Sequence, residues 1–158
     1  MTSNNVTRML ESRKVPFTAL EVPVQKLSAL EVAELLRLPP ATVFKTIVSK
    51  REKGGKPILA LVPATSEVDN KALAVALKEK KVHVTTQAEA EALTGLVAGG
   101  ISPLALINKG FQVLIDSSAE SLEAMLISGG QWGLQIRIAP KDLVQLTNAR
   151  FAPLSQTK

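Results

Sequence analysis

Two apolar runs set six residues apart constrain this chain most. Val43–Lys50 and Pro57–Val62 are rich in β-branched and aliphatic side chains, with Arg51-Glu-Lys-Gly-Gly-Lys56 between them. Gly54-Gly55 is free to take positive φ, so the segment predicts a β-hairpin. Around it helix and strand signals alternate. Val6–Lys14 reads as a short amphipathic helix and Phe17–Val22 as a strand. Ser28-Ala-Leu-Glu31 is a capping-box pattern that opens a helix stopped by Pro39-Pro40. Asp69 caps a helix through Lys78, Val82–Thr85 is a strand, and Thr86-Gln-Ala-Glu89 caps a helix ending at Gly95. Phe111–Ile115 and Gly133–Ile138 are strands, Ser121–Ile127 fits either class, and Pro140 begins a last helix to about Leu146. Helices interspersed with strands, one pair of them a hairpin, predict an α+β fold with a mixed β-sheet and packed helices.

The chain has 158 residues, 46% apolar and 21% charged, enough for about one globular domain with a real core. No repeat, low-complexity stretch or linker divides it, so residues 1–158 read as a single compact domain. The absence of cysteine removes disulfides, thiolate metal sites and a cysteine nucleophile together. One histidine, His83, leaves no His-rich metal site, and no metal or cofactor is expected. The N-terminal stretch lacks a signal-peptide pattern, and no apolar run approaches the ~20 residues that span a bilayer. The expectation is a cytoplasmic protein with no membrane partner.

Charge is unevenly placed. The net charge is +5, and all of that excess falls between Lys45 and Lys81. Such a localised field either keeps a hairpin tip and a helix end solvated or grips a polyanion backbone. Candidate phosphate contacts are Lys50, Arg51, Lys53, Lys56, Lys78, Lys80 and Lys81.

Three features could carry chemistry. Lys45 lies inside the strand Val43-Phe-Lys-Thr-Ile-Val48, on the face shared with Val43 and Ile47, while Phe44, Thr46 and Val48 take the other. An ammonium placed there is either an edge-strand gatekeeper or a group held in a pocket, ready to meet a phosphate, a carboxylate or a developing oxyanion. Gly99-Gly-Ile-Ser-Pro103 is either a tight turn or a loop whose backbone N–H groups approach a ligand. It has neither dinucleotide-binding nor Walker spacing. Ser128-Gly129-Gly130 closes a strand or helix. No G-x-S-x-G elbow is present, and 3% aromatic residues are too few for a multi-base stacking platform.

In this order and spacing, Val43-Phe-Lys-Thr-Ile47, Leu93-Thr-Gly-Leu-Val-Ala-Gly-Gly-Ile-Ser-Pro103 and Ile127-Ser-Gly-Gly130 resemble the YbaK/ProX-type aminoacyl-tRNA deacylases. These are freestanding relatives of the editing insertion domain of bacterial prolyl-tRNA synthetase, and the similarity runs nearly the whole chain. The resemblance implies the compact α+β editing fold and a substrate that is the ester between a wrong amino acid and tRNA. Lys45 then matches the family lysine that positions the 3′ end. Thr46 and Ser128, with Gly129 and Gly130, match the pocket. Gly99, Gly100, Ile101, Ser102 and Pro103 match the G-x-x-x-P loop, whose N–H groups hold the aminoacyl carbonyl. The implied partners are a charged tRNA acceptor end and, in complex, prolyl-tRNA synthetase.

An aminoacyl ester is labile, so positioning and oxyanion stabilisation suffice without a protein nucleophile. The chain departs from the cysteine-specific members in two respects. It has no tyrosine, Val22-Pro-Val24 being apolar where they place one. It also has Gly133-Leu-Gln135 where they have Gly-Leu-Asp. Cysteine is the first expected substrate, with alanine or another small residue next, and tRNA(Pro) the expected tRNA. The alternatives are a non-catalytic tRNA- or synthetase-binding module and a small-molecule binder or hydrolase using the same pocket.

Overall fold

In the computed structural model, which describes residues 3–157, the predicted hairpin lies at the centre of the larger sheet. In chain order the first elements are α1 (Asn5–Ser12), β1 (Thr18–Glu21), α2 (Ala29–Leu36), β2 (Phe44–Arg51), β3 (Ile58–Pro63) and β4 (Ser66–Val68). There follow α3 (Asn70–Leu77), β5 (Val82–Val84), α4 (Gln87–Thr94), β6 (Gln112–Asp116) and β7 (Met125–Ser128). The last are β8 (Leu134–Ile138), α5 (Pro140–Thr147), β9 (Arg150–Ala152) and β10 (Ser155–Thr157).

The larger sheet has the order β5-β2-β3-β6-β9, with β2 antiparallel to β3 and β5, and β6 parallel to β3 and β9. A smaller antiparallel sheet, β1-β8-β7, meets it through a parallel bridge between Val43 and Leu126. β10 pairs with β4. The α+β class with a mixed sheet is as expected.

Alternation along the hairpin sorts its side chains into two cores. Phe44, Val48, Leu59 and Leu61 face Ile127, Leu134 and Ile136 of the smaller sheet. Ile58, Ala60 and Val62, with Ile47 against them, face Leu73, Ala74 and Leu77 of α3. β3 is buried on both sides, which is why it reads as a continuous apolar run. A third cluster seats Val32 and Ala33 of α2 on Val43, Ala64 and Leu126.

Both predicted capping boxes form. Ser28 Oγ accepts from the Glu31 N–H at 3.1 Å while the Glu31 carboxylate accepts from the Ser28 N–H at 2.9 Å. Thr86 and Glu89 do the same at 3.1 and 3.0 Å. α4 ends where Gly95 turns left-handed at φ +73°. The segment 121–127, which local pattern left open, continues from a 3-10 turn (Ser117–Ser121) into β7. Buried Asp116 holds that turn, accepting from Ser118 N–H at 3.2 Å and from Leu154 N–H at 2.9 Å. The three-residue strands β4, β9 and β10 carry no readable period and exist only through their partners. No helix among the described residues is long and apolar enough to cross a membrane.

Candidate functional site

The edge of β2 opposite β3 is covered by β5 only from Ser49 to Arg51, and by β7 only near Val43. Between these two contacts opens a cavity of about 470 Å³. Because it meets β2 at its edge, every residue from Val43 to Val48 borders it, whichever face the side chain takes. The N-terminal ends of α2 and α4 close two sides, Ala98, Gly99 and Ile101 a third, and Ser128 with Gln135 the floor.

The structure brings Lys45, Thr46, Gly99, Ile101 and Ser128 to this one cavity. Lys45 is largely buried, and its Nζ lies 3.5 Å from the Glu67 carboxylate of β4. Thr46 Oγ1 is buried with no hydrogen-bond partner among the described residues. Ser128 Oγ accepts from the Gly130 N–H at 3.2 Å, which leaves its own proton to donate. Directly opposite Ser128 on β8 stands Gln135, 7% exposed. A buried polar atom without a partner is costly, so Thr46 Oγ1 is poised to take a polar atom from whatever enters.

The glycine loop is built from behind. Gly99 takes φ +89°, and a Cβ there would sit 3.2 Å from Trp132 Nε1. The Trp132 indole N–H donates to the Ala98 carbonyl at 2.8 Å. Gly100 donates to Val97 and packs on the Gln131 backbone. Ser102 is fully buried, its hydroxyl accepting from the Leu104 N–H to start the 3-10 turn Pro103–Leu106. Gly100, Ser102 and Pro103 therefore shape the loop without bordering the cavity. Gly129 lies against Leu134, and its carbonyl accepts from Asn4 Nδ2 at 3.0 Å, which ties α1 to the turn. Gly130 borders a second, shallower hollow beside Asn4 and Ala105.

The seven basic candidates divide. Lys50 pairs with Glu89, and that hydrogen bond, followed by the Thr86 N–H, lowers the Glu89 carboxyl to about 2. Arg51 is held by Glu79 at 3.0 Å, by the Lys56 carbonyl and by Gln112, so its guanidinium ties the hairpin to the segment after α3 and to β6. Lys53 lies 3.6 Å from Glu79. Lys56, Lys78, Lys80 and Lys81 lie toward solvent. His83 sits on β5 opposite Lys50, away from the cavity.

Sequence reasoning did not find Lys26, whose Nζ donates to Gln87 Oε1 at 2.9 Å across the cavity mouth, nor Glu67. It noted Gln135 only as a departure and passed over Trp132. None of these has a local signal; each is placed by chain segments distant in sequence.

A lysine on the uncovered stretch of β2, a bare glycine loop and the serine of a Ser-Gly-Gly turn thus border one cavity. The chain matches the model of the aminoacyl-tRNA editing domain over residues 24–146, and it belongs to that family. It is 37% identical over 153 residues to a protein of Enterococcus faecalis named "Putative Cys-tRNA(Pro)/Cys-tRNA(Cys) deacylase EbsC", covering 96% of this chain and 92% of that one. The proline–tRNA ligase of Rhodococcus opacus is 38% identical over 77 residues, 48% of this chain and 13% of the ligase. A crystal structure described as "a putative trans-editing enzyme for prolyl tRNA synthetase" superposes with a TM-score of 0.81 at 25% identity, covering 99% of both chains. The activity of the class is aminoacyl-tRNA deacylation, as the motifs implied.

Proposed function

We propose that this protein works in trans to clear mischarged tRNA(Pro), removing cysteine first and alanine or another small residue next. The observation that carries the reading is the convergence of Lys45, Thr46, Gly99 and Ser128 on one cavity. The names of the Enterococcus faecalis relative and of the similar crystal structure support the choice of amino acid and tRNA.

The chemistry follows from positioning. Lys45 meets the 3′ end, exchanging its Glu67 partner for the substrate. The loop offers the Gly99 N–H, flanked by Ala98 and Gly100 N–H groups already bonded to Glu91 and Val97, to the ester carbonyl, where negative charge develops. Water, or the substrate's own thiol when the amino acid is cysteine, attacks the carbonyl carbon. The C–O bond to the ribose breaks, and the tRNA hydroxyl takes a proton. Holding the reactants in a near-attack geometry supplies much of the acceleration. The lysines at 78, 80 and 81 hold the acceptor stem, and choice of tRNA falls to a complex with prolyl-tRNA synthetase.

The test is amino-acid release from Cys-, Ala-, Ser- and Pro-tRNA(Pro) by the wild type and Lys45→Ala. The expected result is fast release of a small mischarged residue, with Pro-tRNA(Pro) spared. In the variant the rate should fall about 10²- to 10³-fold, the range for loss of one charge-stabilising donor. No release from any substrate would replace this reading with a tRNA-binding module.

A further inference from the structure

We propose that Trp132 is the stacking platform for the terminal adenine of the tRNA, with Lys26 beside it for the adjoining phosphate. The proposal rests on the deacylase reading above and extends it from the aminoacyl group to the nucleotide that carries it.

Trp132 is the only tryptophan, and the chain has no tyrosine. It is 36% exposed and stands against Gly99, which borders the cavity, without lining the cavity itself. Its polar edge is already satisfied, because the indole N–H is fixed on the Ala98 carbonyl. What remains free is apolar ring surface in a set orientation. The cavity wall next to it is Gly99, whose missing side chain lets the indole lie against the loop. An amino acid whose ester carbonyl meets that loop must leave its ribose and base outside the cavity, along this same wall.

Lys26 approaches the same point of the loop. Its Cγ lies 3.5 Å from where a Gly99 Cβ would be, and its ammonium is held by Gln87, a neutral exposed amide. A phosphate is a stronger acceptor and would displace that amide. One ring is enough: stacking needs only a π-face, and every tRNA ends on the same base. The low aromatic content therefore excludes a multi-base platform and leaves room for a single-base one.

The lone tryptophan is its own probe. The intact protein is titrated with uncharged tRNA ending in CCA and with the same tRNA lacking its terminal adenosine, while Trp132 fluorescence is followed. Saturable quenching by the complete tRNA, at least about fivefold weaker or absent for the shortened one, is expected from the loss of one stacked base. Equal quenching by both, or none, overturns the proposal. Deacylation then separates stacking from a merely structural clamp. Trp132→Leu should raise KM about tenfold with kcat within twofold, and Trp132→Phe, which keeps a ring but loses the bond to Ala98, should stay near wild type. Loss of kcat in both variants marks a clamp and overturns the proposal. Wild type that releases no amino acid yet shows adenosine-dependent quenching sinks the deacylase reading and leaves the platform standing. If Trp132→Leu does not fold, the wild-type titration decides alone.

Discussion

Ser128 and Gln135 stand directly opposite one another on the β7–β8 ladder, and together they floor the cavity that Lys45 and Thr46 border. Ser128 retains a hydroxyl proton to donate, and the Gln135 amide offers both a donor and an acceptor. No carboxylate stands between them. A floor of this kind favours a short, uncharged side chain with a polar terminal atom over a methyl group. Gln135→Met keeps volume but removes the amide. The ratio of Cys- or Ser-tRNA release to Ala-tRNA release should then fall about 3- to 10-fold, the worth of one neutral hydrogen bond. A competition assay on mixed substrates reads this directly, and an unchanged ratio would remove Gln135 from selection.

Gly129 is bare because Leu134 occupies the space a side chain would need. A Cβ at 129 would lie 2.5 Å from Leu134 Cγ and 2.7 Å from Cδ2, and Leu134 is fully buried. Gly129→Ala should destabilise the fold by about 1–3 kcal/mol through overpacking. Urea unfolding measures it. Gly110→Ala, at φ +88° with open space around it, gives the cost of positive φ without crowding, whereas Gly129, not at positive φ, reports crowding alone.

Asp116 sets an acid limit to stability. Burial, the largest single influence, raises its pKa, but hydrogen bonds from Ser118, Leu154 and Ser155 together outweigh it and leave the carboxyl below its usual 3.8. A carboxyl lowered in the folded state binds its proton more readily when unfolded. Its contribution is therefore complete above the unfolded value near 3.8 and is lost as pH falls through the lower folded one. Asp116→Ala leaves the Leu154 and Ser118 N–H groups without their acceptor and should cost about 1–3 kcal/mol at neutral pH. The variant should also lose less stability than wild type as pH falls below the unfolded value near 3.8. Thermal melts across that range check both statements.

Arg51 and the Lys80–Lys81 pair should part company when salt is varied. Arg51 is engaged by Glu79, the Lys56 carbonyl and Gln112, whereas Lys80 and Lys81 lie toward solvent. Replacing Lys80 and Lys81 by serine should make the fall of log affinity for tRNA with log salt shallower, by roughly one for each phosphate they had neutralised. Arg51→Ala should leave that slope unchanged and lower stability instead. A slope unaffected by the lysine pair would place the acceptor stem elsewhere on the surface.

Much of the architecture is legible in the chain alone, because its signals are local. Gly54-Gly55 makes a hairpin by φ freedom, and Ser28–Glu31 and Thr86–Glu89 start helices by satisfying their own N–H groups. The motifs containing Lys45, Gly99 and Ser128 likewise mark the pocket before any fold is known. Tertiary structure decided what depends on partners far along the chain. β9 and β10 exist only because β6 and β4 pair with them, and segment 121–127 settles through Asp116 and Leu154. Alternation correctly sends Lys45 and Thr46 to opposite faces, yet both border the cavity, because β5 and β7 leave that edge of β2 uncovered. The same distance in sequence hides Gln135, Trp132 and Lys26. Side-chain direction follows from local backbone geometry, but an empty space is made by whatever fails to meet across it.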